Sequence, residues 1–259
     1  MTGSRFRELT SHRARVQFAE LLKVQARLAL REPYGLLGGI ALPAVLLAVF
    51  GFIGRQLPGN VGDTGLTIID LWTPTILVFA FLYIAVSLPT TLVRDREIGW
   101  LRRVSTTPLH PAMLLAAQLI FDLVLAAAAV LIIILGGALV FGASLHVQIL
   151  PFVVSLLLSI AELFALGLVL VALMPSQTAA SAVSGVVVFV LMFLSGLWVQ
   201  PAQVGDPLRT IMYYSPSGAA ARALLDAVFT SSPSYAALLT MAVYTVIFGF
   251  IAIRSFRWE

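Results

Sequence analysis

The sequence predicts an all-α integral membrane protein with six transmembrane helices. Of the 259 residues, 60% are hydrophobic and only 11% are charged, which is more apolar side chain than one soluble core of this size can bury. Several uncharged stretches reach or exceed the roughly 20 residues that cross a bilayer as a helix. The basic residues collect at the ends of these stretches, as they do in membrane proteins.

The uncharged stretches define the predicted spans. Residues 33–54 and 71–93 form one span each, whereas 123–161 and 163–205 are too long for one helix and are each interrupted once by turn-forming or polar residues. A last span lies within 227–253. We therefore predict an N-terminal region, 1–32, and a transmembrane domain, 33–259, with helices at 34–54, 68–92, 112–140, 149–173, 178–198 and 235–253.

The positions of arginine and lysine predict the orientation. Residues 1–33 carry seven of the 16 basic residues, residues 94–103 carry four and the C-terminal tail carries two, which leaves three for the other side. Because basic loops stay in the cytoplasm, we expect both termini to be cytoplasmic, in the inner (plasma) membrane of a cell. The first apolar run begins only near residue 33, so no cleaved signal is expected.

An amphipathic helix is predicted before the first span. Polar residues recur there at three- and four-residue steps: Arg13, Gln17, Glu20, Lys23, Arg27 and Arg31. The other face carries Phe18, Leu21, Leu22, Leu28 and Ala29, while Val24 falls on the polar face and Gln25 on the apolar one. Such a basic helix lies at the inner leaflet, either as an anchor or as a contact surface for a cytoplasmic partner.

The segment 94–111, between the second and third spans, is the second cytoplasmic feature. Asp95 and Glu97 interleave with four arginines, which predicts a short helix with internal salt bridges. Thr107, Pro108 and Pro111 then end this helix and begin the next one.

Two segments resemble a known family. Glu97, Gly99, Leu101, Arg103, Thr107, Pro108 and Leu109 resemble the Glu-x-Gly-Thr-Leu-(acidic)-Arg…Thr-Pro-Leu loop of the ABC-type-2 exporter permeases, which include daunorubicin-resistance permeases; Trp100 and Arg102 depart from the pattern. Residues 193–201, FLSGLWVQP, and 213–227, YYSPSGAAARALLDA, are similar to the end of the family's fifth span and the segment after it. For residues 199–234 the resemblance implies a re-entrant or interfacial helical hairpin on the outer side, the alternative being an ordinary surface loop.

The resemblance implies a permease that works with a separate ATPase. A P-loop requires a lysine after glycine, and the single lysine of this chain, Lys23, stands between leucine and valine. No cofactor is expected in this chain, and ATP and Mg would be bound by the partner. The implied partners are two ATP-binding subunits, a second permease subunit (identical or homologous), membrane lipid and a hydrophobic small molecule, with no nucleic acid. The coupling residues would be Arg94, Arg96, Glu97, Gly99, Leu101, Arg102, Arg103, Thr107 and Pro108.

Polar groups inside the predicted spans are candidates for a translocation path. Asp122 and Glu162 are acids within apolar stretches, where charge is costly and normally faces the protein interior or water. Gln118 lies four residues before Asp122, and Ser159 lies three before Glu162, so each pair shares a helix face. These four residues either line a path or form interhelical hydrogen bonds.

Small residues predict close helix packing in two spans, either within the subunit or across a dimer. They are Gly35, Gly38 and Gly39 in the first, and Ser181, Ser184 and Gly185 in the fifth.

Several functions stay open at the sequence level. The leading one is a permease that exports a hydrophobic or amphiphilic, drug- or antibiotic-like compound; lipid or polysaccharide export is the nearest alternative. An ion-coupled secondary transporter would use Asp122 and Glu162, and a membrane anchor would transport nothing. Without cysteine and with only three scattered histidines, no catalytic or metal-ligating residues are predicted.

Overall fold

The regular secondary structure is helical in the part of the chain that the structure describes. The structure is a computed structural model, and it describes residues 20–28, 34–56, 67–99, 111–143, 148–229 and 234–255. In chain order its helices are α1 (residues 20–28), α2 (consecutive stretches Tyr34–Leu36, Leu37–Ala41 and Leu42–Gln56), α3 (Ile68–Glu97), α4 (Pro111–Phe141), α5 (Ile149–Leu173), α6 (Gln177–Leu194), α7 (Asp206–Tyr214), α8 (Pro216–Phe229) and α9 (Tyr235–Ser255). The all-α fold class is confirmed.

Six of these helices, α2 to α6 and α9, are long and apolar enough to cross a membrane, as the sequence predicts. Helix α3 ends at Glu97 rather than at residue 92, because the polar turn around Thr90 stays helical and only Gly99, with a φ of +67°, closes it. Helix α6 ends at Leu194 rather than at residue 198, because Gly196, two residues after the last helical residue, has a φ of +86°. In both cases the left-handed glycine sets the end.

Helix α3 is the centre of the bundle. Residues 76–82 are at most 1% exposed, and seven consecutive buried positions cover every face of a helix. Helices α2, α4, α5, α6 and α8 all pack against it. At its start, Asp70 accepts from the backbone and hydroxyl of Thr67, at 2.9 and 2.7 Å, which forms a capping box.

The outer helices expose apolar side chains instead. Leu139 of α4, Val186 of α6 and Val246 of α9 are 81%, 64% and 70% exposed. Such surfaces belong in lipid, and they are the physical reason why the six long helices form an integral membrane protein.

Helices α3 and α5 approach most closely at a proline. Pro89 lies inside α3 and has no N–H, so the carbonyl of Ala85 cannot receive the usual helical hydrogen bond from residue 89. Gly167 of α5 lies directly against that carbonyl, and a Cβ at this position would collide with its oxygen. Glycine at residue 167 therefore allows the contact.

The two ends of the bundle differ in charge. Helices α3 and α9 end side by side with α5, where Arg94, Arg96 and Arg254 lie in the last turns of α3 and α9. We call this the arginine-rich end. At the other side, here called the opposite end, Arg55 of α2 donates to the carbonyl of Val140 in α4.

Helices α7 and α8 form a hairpin between α6 and α9. The hydroxyl of Ser217, fully buried at the start of α8, donates to the Leu191 carbonyl of α6 at 2.6 Å. Near the other end of α8, the Ala227 carbonyl accepts from the Gln148 amide, directly before α5, at 3.1 Å. Helix α8 therefore runs from inside the bundle back to the opposite end.

Candidate functional site

A cavity of about 870 Å³ lies between α2, α3, α4 and α6, and α1 borders it at the arginine-rich end. Its apolar wall includes Leu36, Val86, Phe121, Leu125, Val188, Phe189 and Met192. Its polar lining includes Tyr83, Ser87, Thr90, Thr91, Gln118, Asp122, Gln177, Ser181 and Ser184. A cavity with both kinds of wall suits a molecule that has an apolar body and a polar group.

The predicted pair of Gln118 and Asp122 lies in this cavity. One helical turn separates the two residues on α4, and the amide Nε2 of Gln118 donates to both carboxylate oxygens of Asp122, at 3.1 and 3.0 Å. The side chains are 7% and 2% exposed. The amide therefore holds the carboxylate in a fixed position in the wall.

Hydroxyl groups of α3 face the same cavity near Pro89. Ser87 donates to the Ile84 carbonyl at 2.7 Å, and Thr90 and Thr91 both donate to the Ser87 carbonyl, at 2.8 and 3.1 Å. Each hydroxyl proton is thus used within the helix, on the carbonyls of Ile84 and Ser87. The three hydroxyl oxygens can still accept hydrogen bonds from a molecule in the cavity.

Two buried polar atoms of the cavity wall have no hydrogen-bond partner among the described residues. They are Oε1 of Gln118 and Oγ of Ser184. Burial of a polar atom without a partner is costly, so both atoms favour a ligand that forms hydrogen bonds.

Charged residues of α3 line the cavity toward the arginine-rich end. Arg94 and Asp95 are both partly exposed there, and Nε of Arg94 lies 3.8 Å from Oδ1 of Asp95. Gln25 and Leu28 of α1 close this side. Val24 is 43% exposed, as its predicted place on the polar face of the helix suggests.

The other predicted pair, Ser159 and Glu162, lies elsewhere. Both side chains are fully buried on α5, away from the residues that line the cavity. The Ser159 hydroxyl donates to the Ser155 carbonyl at 2.7 Å, and the Ser155 hydroxyl donates to Ala223 of α8 at 3.3 Å. Neither carboxylate oxygen of Glu162 has a hydrogen-bond partner within the described ranges. The four predicted lining residues therefore form two separate groups.

The predicted coupling residues fall partly within the described chain. Arg94, Arg96 and Glu97 continue α3 instead of forming a helix of their own, and Gly99 follows the last turn. The Arg96 guanidinium donates to the Met174 carbonyl at the end of α5. The remaining candidates, Leu101, Arg102, Arg103, Thr107 and Pro108, lie outside the described residues.

Part of the cavity wall was not expected from the sequence. Within this subunit, Ser181, Ser184 and Gly185 line the cavity, and a Cβ at Gly185 would have nothing within 4 Å of it; that these residues pack across a dimer stays a prediction. Gly38 and Gly39 of α2 do pack closely, against Tyr83 and Ile84 of α3. The three- and four-residue spacing of Ser87, Thr90 and Thr91 was the one available signal for the α3 wall.

Comparisons with known proteins agree with this architecture. The sequence model of the ABC-2 type transporter family matches residues 16–229, which is most of the chain. A protein of Cyanophora paradoxa that carries the name transport permease ycf38 is 31% identical over 137 residues, which are 52% of this chain and 45% of that protein. The match therefore spans less than half the length of that relative. The chain belongs to the ABC-2 type transporter family.

Proposed function

We propose that the protein is the permease subunit of an ATP-driven exporter that moves a hydrophobic or amphiphilic, drug- or antibiotic-like compound out of the cell. The observation that carries this proposal is the cavity among α2, α3, α4 and α6 in a chain of a transport permease family. The cavity extends from the buried pair Gln118 and Asp122 to Arg94 at the arginine-rich end. A compound arriving from that side meets polar and apolar surface together.

A separate subunit supplies the energy in this proposal. The only lysine, Lys23, lies in α1 between two apolar residues, so the chain has no P-loop lysine to contact the phosphates of ATP. ATP and Mg would therefore be bound by a partner ATPase, in two copies for a pair of permease subunits. The family to which the chain belongs supports this assembly.

The arginine-rich end is the proposed contact with the ATPase. Arg94, Arg96 and Glu97 occupy the last turns of α3, and the predicted coupling segment follows them. Because Arg96 of α3 is hydrogen-bonded to the Met174 carbonyl at the end of α5, a displacement of Arg96 by the ATPase would act on both α3 and α5. Helix α1 borders the cavity beside this end and would provide a second contact.

The membrane placement follows from charge. With the arginine-rich end in the cytoplasm, both termini are cytoplasmic and α1 lies at the inner leaflet as an interfacial helix. The α7–α8 hairpin then enters from the outer side, and its buried Ser217 lies at membrane depth. Protein covers α8 on several sides, which is the condition for such a re-entrant element.

Reconstitution with a partner tests the proposal. The protein is purified to identify a co-purifying ATPase, and ATP-dependent uptake of an amphiphilic fluorophore into inside-out vesicles is measured. Glu97→Ala, or deletion of residues 96–103, should leave membrane insertion intact and abolish uptake. Asp206→Ala, a change of an exposed acid at the first residue of α7, is the matched control and should transport normally. Uphill transport by this chain alone, or full activity of Glu97→Ala, would refute the proposal.

One observation favours a second candidate, an ion-coupled secondary transporter. Glu162 is a fully buried acid without a hydrogen-bond partner in the described chain, as ion sites of such transporters are. Collapse of ion gradients by ionophores would then abolish uptake while removal of ATP would not. The export proposal expects the reverse result.

A further inference from the structure

We propose that the cavity binds amphiphiles that carry a protonated amine, with the ammonium group between the carboxylate of Asp122 and Oε1 of Gln118. The inference deepens the proposed export function by naming a substrate class. It rests on the export function only for the statement that the bound molecule is the transported compound. Binding itself needs neither the ATPase nor a nucleotide.

The hydrogen bonds made by Gln118 and by the hydroxyls of α3 leave mainly acceptors in this part of the cavity wall. Nε2 of Gln118 is occupied by Asp122, and the hydroxyl protons of Ser87, Thr90 and Thr91 are given to α3 carbonyls. Oε1 of Gln118 is buried and has no partner in the described part of the chain. A ligand group that bonds to Asp122 and to Oε1 of Gln118 therefore has to supply N–H or O–H groups, whereas Oγ of Ser184 can donate or accept.

The charges of the wall favour a cation over a neutral donor. The charged lining residues are one arginine and two aspartates, and Arg94 lies next to Asp95 at one border. Asp122 is 2% exposed and has no ion pair with a described residue. A bound ammonium would neutralise this carboxylate and form charge-assisted hydrogen bonds with it.

The remaining surface selects an amphiphile rather than an inorganic cation. Aromatic rings of Tyr83, Phe121 and Phe189 line the cavity together with aliphatic side chains of α2, α3 and α6. Apolar walls gain free energy by covering a hydrophobic body, and aromatic faces also attract cations. A volume of about 870 Å³ accommodates a molecule of drug size.

Three matched probes test the inference on the wild-type protein in phosphatidylcholine nanodiscs. Each is a dansyl fluorophore on a five-carbon chain, which ends in a primary amine, a trimethylammonium group or an acetylated amine. We expect the amine to bind about tenfold more tightly than the acetylated probe, with the trimethylammonium probe between them because it keeps the charge and loses the N–H donors. Equal affinity of the amine and the acetylated probe would overturn the inference.

Variants then locate the site. Asp122→Asn should reduce amine affinity about tenfold and remove the preference over the acetylated probe. Asp70→Asn makes the same exchange at an equally buried aspartate that does not line the cavity, and it should bind all three probes as the wild type does. Wild-type affinity in Asp122→Asn would overturn the assignment, and the wild-type comparison stands even if this variant fails to fold.

Competition against the bound probe distinguishes a lipid amine from the amine of a soluble compound. Displacement of the probe by phosphatidylethanolamine in the nanodisc would assign the amine to a lipid headgroup, and displacement only by soluble amphiphilic amines would assign it to a free compound. Both results support the site. Amine binding without ATP-driven transport of the probe by the assembled complex would contradict the export function and leave the site intact, so the two failures are distinguishable.

Discussion

The guanidinium group of Arg96, in the last turn of α3, donates a hydrogen bond to the main-chain carbonyl of Met174, the residue that ends α5. The last carbonyls of a helix have no partner within the helix, and a cation near them is favourable. This one contact joins the segment proposed to receive the ATPase to the helix that carries Glu162.

Removal of the Arg96 side chain should weaken the bundle at this end. We expect Arg96→Ala to lower the free energy of unfolding by about 1 kcal/mol, since one hydrogen bond from a partly exposed charged group is lost. Arg96→Lys should retain part of the stability because a single ammonium donor remains. Thermal unfolding in detergent measures the effect, with the exposed Arg27→Ala as control. Equal stability of Arg96→Ala and wild type would show that the contact contributes nothing.

The contact of α3 and α5 at Gly167 should tolerate no side chain. Gly167→Ala places a Cβ against the Ala85 carbonyl, and we expect a loss of about 2 kcal/mol from the forced separation of the helices. Gly249→Ala on α9 is the matched control, because nothing lies within 4 Å of a Cβ there. The control should be neutral or slightly stabilising, since alanine favours a helix more than glycine does. If Gly167→Ala and Gly249→Ala unfold at the same temperature, a side chain at residue 167 does not force α3 and α5 apart.

We expect the left-handed backbone conformation of Gly99, and not the space around it, to limit which residue is tolerated at this position. Its φ is +67° and a Cβ would meet nothing within 4 Å, so Gly99→Ala should cost about 1 kcal/mol through conformation alone. Gly99→Asn should cost less because asparagine adopts this conformation more readily. Gly205→Ala, at a φ of −66°, serves as control. ATP-dependent transport and thermal stability are measured together, and identical behaviour of alanine and asparagine would contradict the conformational explanation.

The orientation is directly testable because the chain has no cysteine. We expect a cysteine at Ala26 in α1 to react with a membrane-impermeant maleimide only in inside-out vesicles. A cysteine at Gln203, before the hairpin, should react only in right-side-out vesicles. Both positions are exposed, so access is limited by the membrane alone. The reversed pattern would place the arginine-rich end outside the cell and would also refute the proposed ATPase contact.

The six spans were predictable from sequence because lipid imposes length and apolarity on each helix separately. The pair of Gln118 and Asp122 was predictable for a similar reason, since residues four positions apart on a helix are neighbours. Neither inference requires knowledge of which helices are adjacent.

The cavity was not predictable because it depends on that adjacency. Ser87 and Ser184 lie on helices that are distant in sequence, and a serine on an apolar helix has the same pattern whether it packs or faces a cavity. The separation of Glu162 from Asp122 has the same cause: both are acids in apolar spans, but α4 lines the cavity and α5 does not.

The proline in α3 and the glycine opposite it have a mechanical consequence. Where the Ala85 carbonyl meets Gly167, the two backbones are in direct contact, so a tilt of one helix against the other would pivot about this point. A small displacement of the Arg96 turn would then be accompanied by an opposite one on the far side of that point, nearer the hairpin.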